Sequence, residues 1–218
     1  NLDDIIIDTP YKNLRLICGG NDKIDYNQIK QKSLISEIKK ISVNFVIIDL
    51  GAGLNDEMID LYNLADEKIM VVTPQLISLQ NAYSFIKAAF CREVEKNQKM
   101  AVCLRHLKND IARLVVAINN LEDSHLLKNE LKKIALKQRF WIMPNMVQEE
   151  NNIIHISRLK ELIKEYVEIE SAVLGSIRYS NEIQSSVSRM IPFVVSSPQS
   201  DNSKQLRKIA FNLFEYSK

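Results

Sequence analysis

The chain has 218 residues and a mass of 25.1 kDa, enough for one domain with a sizeable insertion and for a core that needs no disulfide or metal staples. Apolar residues at 46% and charged residues at 26% argue against a disordered chain. The 29 basic and 27 acidic residues give a net charge of +2, which neither calls for nor excludes a polyanionic partner, and 5 glycines in 218 argue against an all-β chain full of tight turns.

Short apolar bursts alternate with longer amphipathic stretches. Leu14–Cys18 predicts a strand ending at Gly19-Gly20. Residues 27–41 carry apolar side chains at Ile29, Leu34, Ile35, Ile38 and Ile41, a helical spacing. Asn44–Leu50 is a continuous run rich in β-branched residues, the pattern of a strand buried on both faces of a parallel sheet. Residues 56–65 predict a helix, and Lys68–Thr73 a second buried strand stopped by Pro74. Ser78 opens a long helix with Leu79, Ala82, Tyr83, Ile86, Ala89 and Phe90 at spacings of three and four. The region 91–139 contains no strand signal and holds 11 basic against 6 acidic residues, a net of +5. Residues 1–66 hold 7 basic against 11 acidic, a net of −4. Residues 91–139 are expected to be a helical insertion. The first helix continues to about Ile118, breaks at Asn119-Asn120, and gives way to a second from Ser124, its N-cap, to about Gln138. A basic helical face of this kind could meet nucleic acid or acidic lipid, but a solvated mixed-charge face is the favoured reading.

Phe140–Met146 is a strand candidate interrupted by Pro144, residues 152–166 an amphipathic helix, Ala172–Ile177 a strand and residues 181–189 a short helix. The terminal helix, 203–216, carries Leu206, Ile209, Ala210, Leu213 and Phe214 on one side and Lys204, Arg207 and Lys208 on the other. It could anchor on a membrane; docking on the sheet gives the same stripe and is favoured. Strand–helix alternation with apolar strands predicts an α/β fold with a mostly parallel sheet and helices on both faces. Three scattered cysteines (Cys18, Cys91, Cys103), with no C-x-x-C pair, argue against disulfides and zinc and for a reducing, cytosolic compartment. No apolar run approaches the ~20 residues of a membrane span.

Gly19, Gly20, Gly51 and Gly53 fall just past the carboxyl ends of predicted strands. In open α/β sheets that edge binds ligands, although a glycine there can equally just turn the chain. The stretch FVIIDLGAG, Phe45–Gly53, closes a hydrophobic strand with an aspartate and follows it with two glycines. In a nucleotide hydrolase, Asp49 would hold magnesium, directly or through water. Gly53 would offer a backbone N–H to the terminal phosphate and begin a mobile switch loop.

These residues resemble the MinD/ParA group of deviant P-loop ATPases, and most of all its FlhG-like flagellar-number branch. IIDLGAG at Ile47–Gly53 is similar to the family's Walker B strand and following switch, and LADEKIMVVTP at Leu64–Pro74 to its next helix end and strand. SLQNAYSFIKAAFCREV at Ser78–Val94 is the branch-specific match. NMV at Asn145–Val147 resembles the strand end whose asparagine reads adenine. LGSI at Leu174–Ile177 and IPFV at Ile191–Val194 resemble the last strand and the turn into the final helix. The opening NLDDIIIDTPYKNLRLICGG resembles the segment after switch I.

The resemblance implies one MinD-like α/β domain over 1–218 and ATP with magnesium as cofactors. It implies a homodimer formed in the ATP state, and a membrane surface or protein as partner; nucleic acid is not expected. It further implies a cytoplasmic protein, peripheral on the inner membrane at most. Asn145 would pair with adenine through its amide, its alternative role being to cap the following loop. Backbone at Arg178 and Tyr179 would lie beside the base.

The sequence departs from the family at several points. It has no G-x-x-x-x-G-K-[ST] loop and no K-G-G-x-G-K-[ST] form of it, and 48 residues precede Asp49. Gln75 stands where the family has an acidic residue after T-P, and Arg178 follows Ile177 where the family has proline. Asn1 is accordingly expected to lie inside a longer polypeptide, the alternative being a shortened gene product. The chain alone is expected to hold ATP poorly, because the affinity of such sites comes mostly from the phosphate loop and the helix behind it. Unpaired strand edges are expected as well. The expected function is an ATP-dependent switch in spatial regulation, of flagellar number or division-site position. A nucleotide-independent scaffold and a nonspecific DNA-binding partition ATPase are the alternatives. His106, His125 and His155 are isolated and expected to be noncatalytic, and Trp141 is expected to serve packing.

Overall fold

The computed structural model describes residues 5–18, 36–123, 125–148 and 153–216. The chain divides into two compact units, Asn1–Leu64 and Ala65–Lys218.

In the first unit, β1 (Ile7–Asp8) pairs antiparallel with β2 (Arg15–Leu16), Ile7 opposite Leu16. The strand predicted at Leu14–Cys18 is therefore a short ribbon, not part of a parallel sheet, and Gly19-Gly20 with most of the helix predicted at 27–41 lies outside the described residues. Thr9 organises the ribbon: its Oγ1 donates to the Leu14 carbonyl at 2.7 Å and accepts from the Tyr11 N–H at 3.2 Å. Helix α1 (Asp56–Leu64) forms where predicted. The Asn55 side chain caps it by accepting from the Met58 N–H at 2.8 Å.

The predicted strand Asn44–Leu50 does not form. Residues 45–50 have no strand pairing, with Phe45 65% and Ile47 89% exposed. The reason is physical: a β-branched run becomes a buried strand only between neighbouring strands, and in this unit β1 and β2 pair with each other.

The second unit is built on three parallel strands in the order β3 (Ile69–Val72), β4 (Phe140–Pro144), β5 (Ser171–Val173). Ile69 sits opposite Trp141 and Val72 opposite Pro144; Phe140 sits opposite Ser171. Pro144 does not interrupt β4 but ends it, and its carbonyl accepts from the Ile177 N–H at 2.9 Å. Phe140 and Ile142 are buried on one face of β4, while Trp141 and Met143 point to the other, as the two-residue period requires.

Helix α2 (Leu76–Glu95) buries Leu79, Ala82, Ile86, Ala89, Phe90 and Val94. Its start is two residues earlier than predicted, because Ser78 does not cap it; the Ser78 Oγ accepts from the Thr73 N–H at 3.0 Å, tying the helix to the end of β3. The predicted continuation to Ile118 is in fact three helices. The chain breaks at Asn97, whose side chain caps α3 (Gln98–His106) by accepting from the Met100 N–H. It breaks again at Lys108 and Asn109, both at positive φ, before Asp110 caps α4 (Ile111–Asn119). The end at Asn119 is as predicted. Helix α5 (Leu126–Lys137) is capped by His125, whose Nδ1 accepts from the Leu127 N–H; Ser124, the predicted cap, lies outside the described residues. Helix α6 (Ile153–Val167) packs on α2, α4 and β5.

After β5 come α7 (Asn181–Ser188), capped by the Ser180 Oγ, then the short α8 (Phe193–Ser196) and α9 (Asp201–Tyr216). The terminal helix docks. Ile209 is buried with Leu174 and Ile177, against Trp141, Met143, Leu206 and Leu213. Helices thus cover both faces of the three-stranded sheet.

Lys68, buried at the foot of β3, donates from Nζ to the carbonyls of Ala65 at 2.8 Å and Lys137 at 3.2 Å. The second of these is the last carbonyl of α5, so the ammonium serves as a C-terminal cap. Burial lowers its pKa, opposed by Glu93, Asp66 and Glu67. The folded state therefore binds this proton less tightly than the unfolded chain, and stability rises with pH as the solution passes from the folded to the unfolded lysine pKa. Replacing Lys68 by Met is expected to remove this alkaline rise in urea-melting midpoints. At pH 7 it costs about 1–3 kcal/mol, from two carbonyls left without their donor.

Candidate functional site

The carboxyl ends of the parallel strands form one edge, where α/β sheets bind ligands. Three of the five predicted site residues, Asn145, Arg178 and Tyr179, lie past the ends of adjacent strands at that edge. Asn145 follows β4 directly, and its N–H donates to the Val72 carbonyl of β3 at 2.8 Å. The pairing of β4 with the chain after β5 then resumes past its end: the Val147 N–H donates to Ile177 O and the Tyr179 N–H to Val147 O, both at 3.1 Å, and Val147 bridges Arg178. Val147, two residues after Asn145, is thus the residue that pairs with the chain at Arg178 and Tyr179.

The Asn145 Oδ1 accepts from the Met146 N–H at 2.9 Å, and Met146 has φ 56°. The side chain therefore holds the turn after β4, the capping role open to it in the sequence, while the Nδ2 end of the amide retains its donors. At Arg178 the backbone is engaged on both sides. Its N–H donates to Asn202 Oδ1 and its carbonyl accepts from Asn202 Nδ2, each at 2.9 Å. Asn202, on the first turn of α9, is buried. Sequence reasoning missed it, since an asparagine in a helix's first turn ordinarily faces water.

Asp49 and Gly53 lie in the first unit. Asp49 is exposed in the stretch 45–50, which forms no strand. Gly53 has φ 152°, and a β-carbon there would stand 3.4 Å from Met58 Sδ. Among the described residues no cluster of three or more His, Cys, Asp or Glu could hold a metal. The donor set fits the base end of a nucleotide, with an amide and engaged backbone at a strand edge.

Four basic residues of the segment 91–139 pair with acids close by in the chain. Lys96 pairs with Glu93, Lys133 with Glu130 at 3.0 Å and Arg113 with Asp110 at 3.4 Å. Lys128 reaches Asp123 at 2.7 Å while also capping α4 through the carbonyls of Asn119 and Leu121. That hydrogen bond and charge hold the exposed Asp123 carboxyl below its ordinary pKa. Cys91 is inert: burial, with Glu95 beside it, pushes its thiol up to about 11, against the opposing charge of Lys87.

No family model matches the chain. It is 22% identical over 209 residues to a protein named septum site-determining protein MinD in Chlorella vulgaris, covering 94% of this chain and 67% of that protein. A protein of the same name in Oltmannsiellopsis viridis is 23% identical over 154 residues, 69% of this chain, which there spans only 43% of the relative's length. Among solved structures, the cell division ATPase MinD of Pyrococcus furiosus superposes with a TM-score of 0.62 at 17% identity, over 99% of this chain and 71% of that one. The septum site-determining protein MinD of Pyrococcus horikoshii, complexed with Mg-ADP, gives 0.61 at 18%, over 98% of this chain and 68% of that one. The shared fold is the P-loop NTPase-like α/β fold of MinD. Among the described residues no helix is long and apolar enough to cross a membrane.

Proposed function

We propose that the chain is a member of the MinD/ParA group of P-loop ATPases, a reading supported by its likeness to proteins named MinD and by the shared fold, and that it works in an ATP-dependent switch and carries that switch's adenine-binding edge. The observation that supports this is the placing of Asn145 at the end of β4, two residues before Val147, which pairs with the chain at Arg178 and Tyr179 after the adjacent strand β5. Asn145 Nδ2 donates to the base, and carbonyl groups of the 178–179 backbone accept from its exocyclic amine. Asp49 stands as the magnesium-side carboxylate and Gly53 as the γ-phosphate contact in the assembled switch. ATP closes a homodimer, and hydrolysis opens it. Residues 1–218 act as one MinD-like domain, with residues 91–139 as its insertion. The run Ser78–Val94 supports the FlhG-like branch, hence regulation of flagellar number or placement from the cytoplasm and the inner face of the membrane.

A second reading has a specific observation in its favour. The exposed setting of Asp49 in a stretch that forms no strand suits a MinD-like module that binds partners without nucleotide.

The test is phosphate release. The 218-residue chain with Mg-ATP is expected to show no turnover above a protein-free blank, because donors to the phosphates are lacking. A polypeptide that supplies a K-G-G-x-G-K-[ST] loop in frame before Asn1 is expected to turn ATP over, and Asp49→Asn in it to reduce turnover by at least about tenfold. Turnover by the 218-residue chain itself contradicts this account. A loop-bearing protein that neither binds nor hydrolyses ATP favours the scaffold.

A further inference from the structure

We propose that Asn202 is a positioning residue for base recognition, and that docking of α9 and adenine selectivity at the strand edge are one coupled property. This inference rests on the adenine edge proposed above.

A carboxamide carries one acceptor and one donor group on adjacent atoms, the same pair that a peptide unit presents. Asn202 uses both on Arg178, accepting from its N–H and donating to its carbonyl at 2.9 Å each. In effect the side chain extends the sheet by one pairing step, from a helix 24 residues further along the chain. The neighbouring N–H, of Tyr179, is committed to the Val147 carbonyl. The backbone donors of residues 178 and 179 are therefore both spent internally. What remains on the backbone of residues 178 and 179 is acceptor capacity, since each carbonyl oxygen has two lone pairs. A loop that offers acceptors selects a base edge that donates, which adenine's exocyclic amine does and guanine's O6 does not. Guanine there would set acceptor against acceptor, the kind of mismatch that produces strong discrimination.

The lock is held in place by packing. Asn202 sits at the start of the helix whose Ile209 is buried on Leu174 and Ile177, directly before Arg178 in the chain. The next residue, Ser203, is also buried and donates to the Ser197 carbonyl at 2.7 Å. The first turn of α9 thus cannot swing without pulling on both the loop and the hydrophobic seat.

The experiment titrates the 218-residue chain with adenosine and, separately, guanosine at millimolar concentration, following backbone amides by NMR, together with hydrogen exchange of the Arg178 amide in the free protein. Nucleosides avoid any need for a phosphate cradle. Wild type is expected to show shifts at Asn145, Met146, Tyr179 and Ser180 with adenosine and at least about fivefold weaker binding of guanosine. Asn202→Ala is expected to raise Arg178 exchange at least about tenfold and to bring the adenosine-to-guanosine ratio near one, leaving exchange in α2 unchanged. Asn202→Asp keeps the acceptor, so it is expected to protect the Arg178 amide while losing its grip on the carbonyl, with an intermediate ratio. An unchanged ratio in Asn202→Ala, with Arg178 exchange raised, overturns the proposal alone. Wild type that responds to neither nucleoside overturns the adenine edge and the proposal with it.

Discussion

Gly175→Ala is expected to undock the terminal helix. Gly175 has φ 149°, and a β-carbon there would lie 2.5 Å from Ile209 Cγ1 and 2.9 Å from its Cδ1. Two penalties add. The backbone conformation costs a non-glycine residue about 1–3 kcal/mol, and overpacking against a buried side chain costs about 1–3 kcal/mol more. The sum of about 2–6 kcal/mol is a large part of a domain's total of about 5–15 kcal/mol. Trp141, the single tryptophan, packs in the cluster that Ile209 completes. The loss should therefore appear as a red-shifted emission and a lowered melting midpoint together. Ile209→Ala opens the space the new methyl needs, at a cost of its own of about 2–5 kcal/mol. The double variant is expected to be destabilised by less than the sum of the two singles, because the steric part is shared and only the backbone part persists. Strict additivity would show that the methyl never meets Ile209.

The same region shows where the sequence is a good guide and where it is not. Ile209, Leu206 and Leu213 are legible from spacing alone, and the choice of docking over membrane anchoring holds because their cluster includes Leu174 and Ile177. Strands β3, β4 and β5 are legible as short apolar bursts between helix-periodic stretches. The three-way break of the long helix is not, because apolar spacing carries on through it: Val94, Met100, Leu104 and Ile111 are all fully buried. The breaks are written in the caps instead, Asn97 and Asp110, and in the left-handed pair Lys108 and Asn109. At the strand edge Asn145 could be found because its position after an apolar strand is itself the signal. Asn202 could not, since its role depends on a partner 24 residues away that no local pattern marks. The run FVIID misled for a different reason. Composition reports what a segment prefers when neighbours are supplied, and it does not supply them.

That failure carries the second large prediction. A run of apolar, β-branched residues left without strand pairing is a template for association, as is the outer side of β3, which among the described residues pairs with β4 alone. Phe45, Val46 and Ile47 are exposed in the first unit, and Val71 is exposed on β3. The 218-residue chain is expected to self-associate in the micromolar-to-millimolar range typical of unpaired edges, with a weight-average mass that rises with concentration in sedimentation velocity. Ile47→Lys places a charge in the middle of the run, and Val71→Lys places one on the edge strand. Each is expected to move the onset upward in concentration by about tenfold, because a charge cannot enter a dry strand interface without a partner. Val116→Lys is the comparison. Val116 is exposed as well, but it lies on helix α4, whose backbone is hydrogen-bonded within the helix. If stickiness came from exposed apolar area alone, Val116→Lys would help as much as the other two. If it comes from backbone groups awaiting a neighbouring strand, Val116→Lys leaves the onset where it was and the other two move it. Equal effects from all three would remove the unpaired strand as the cause.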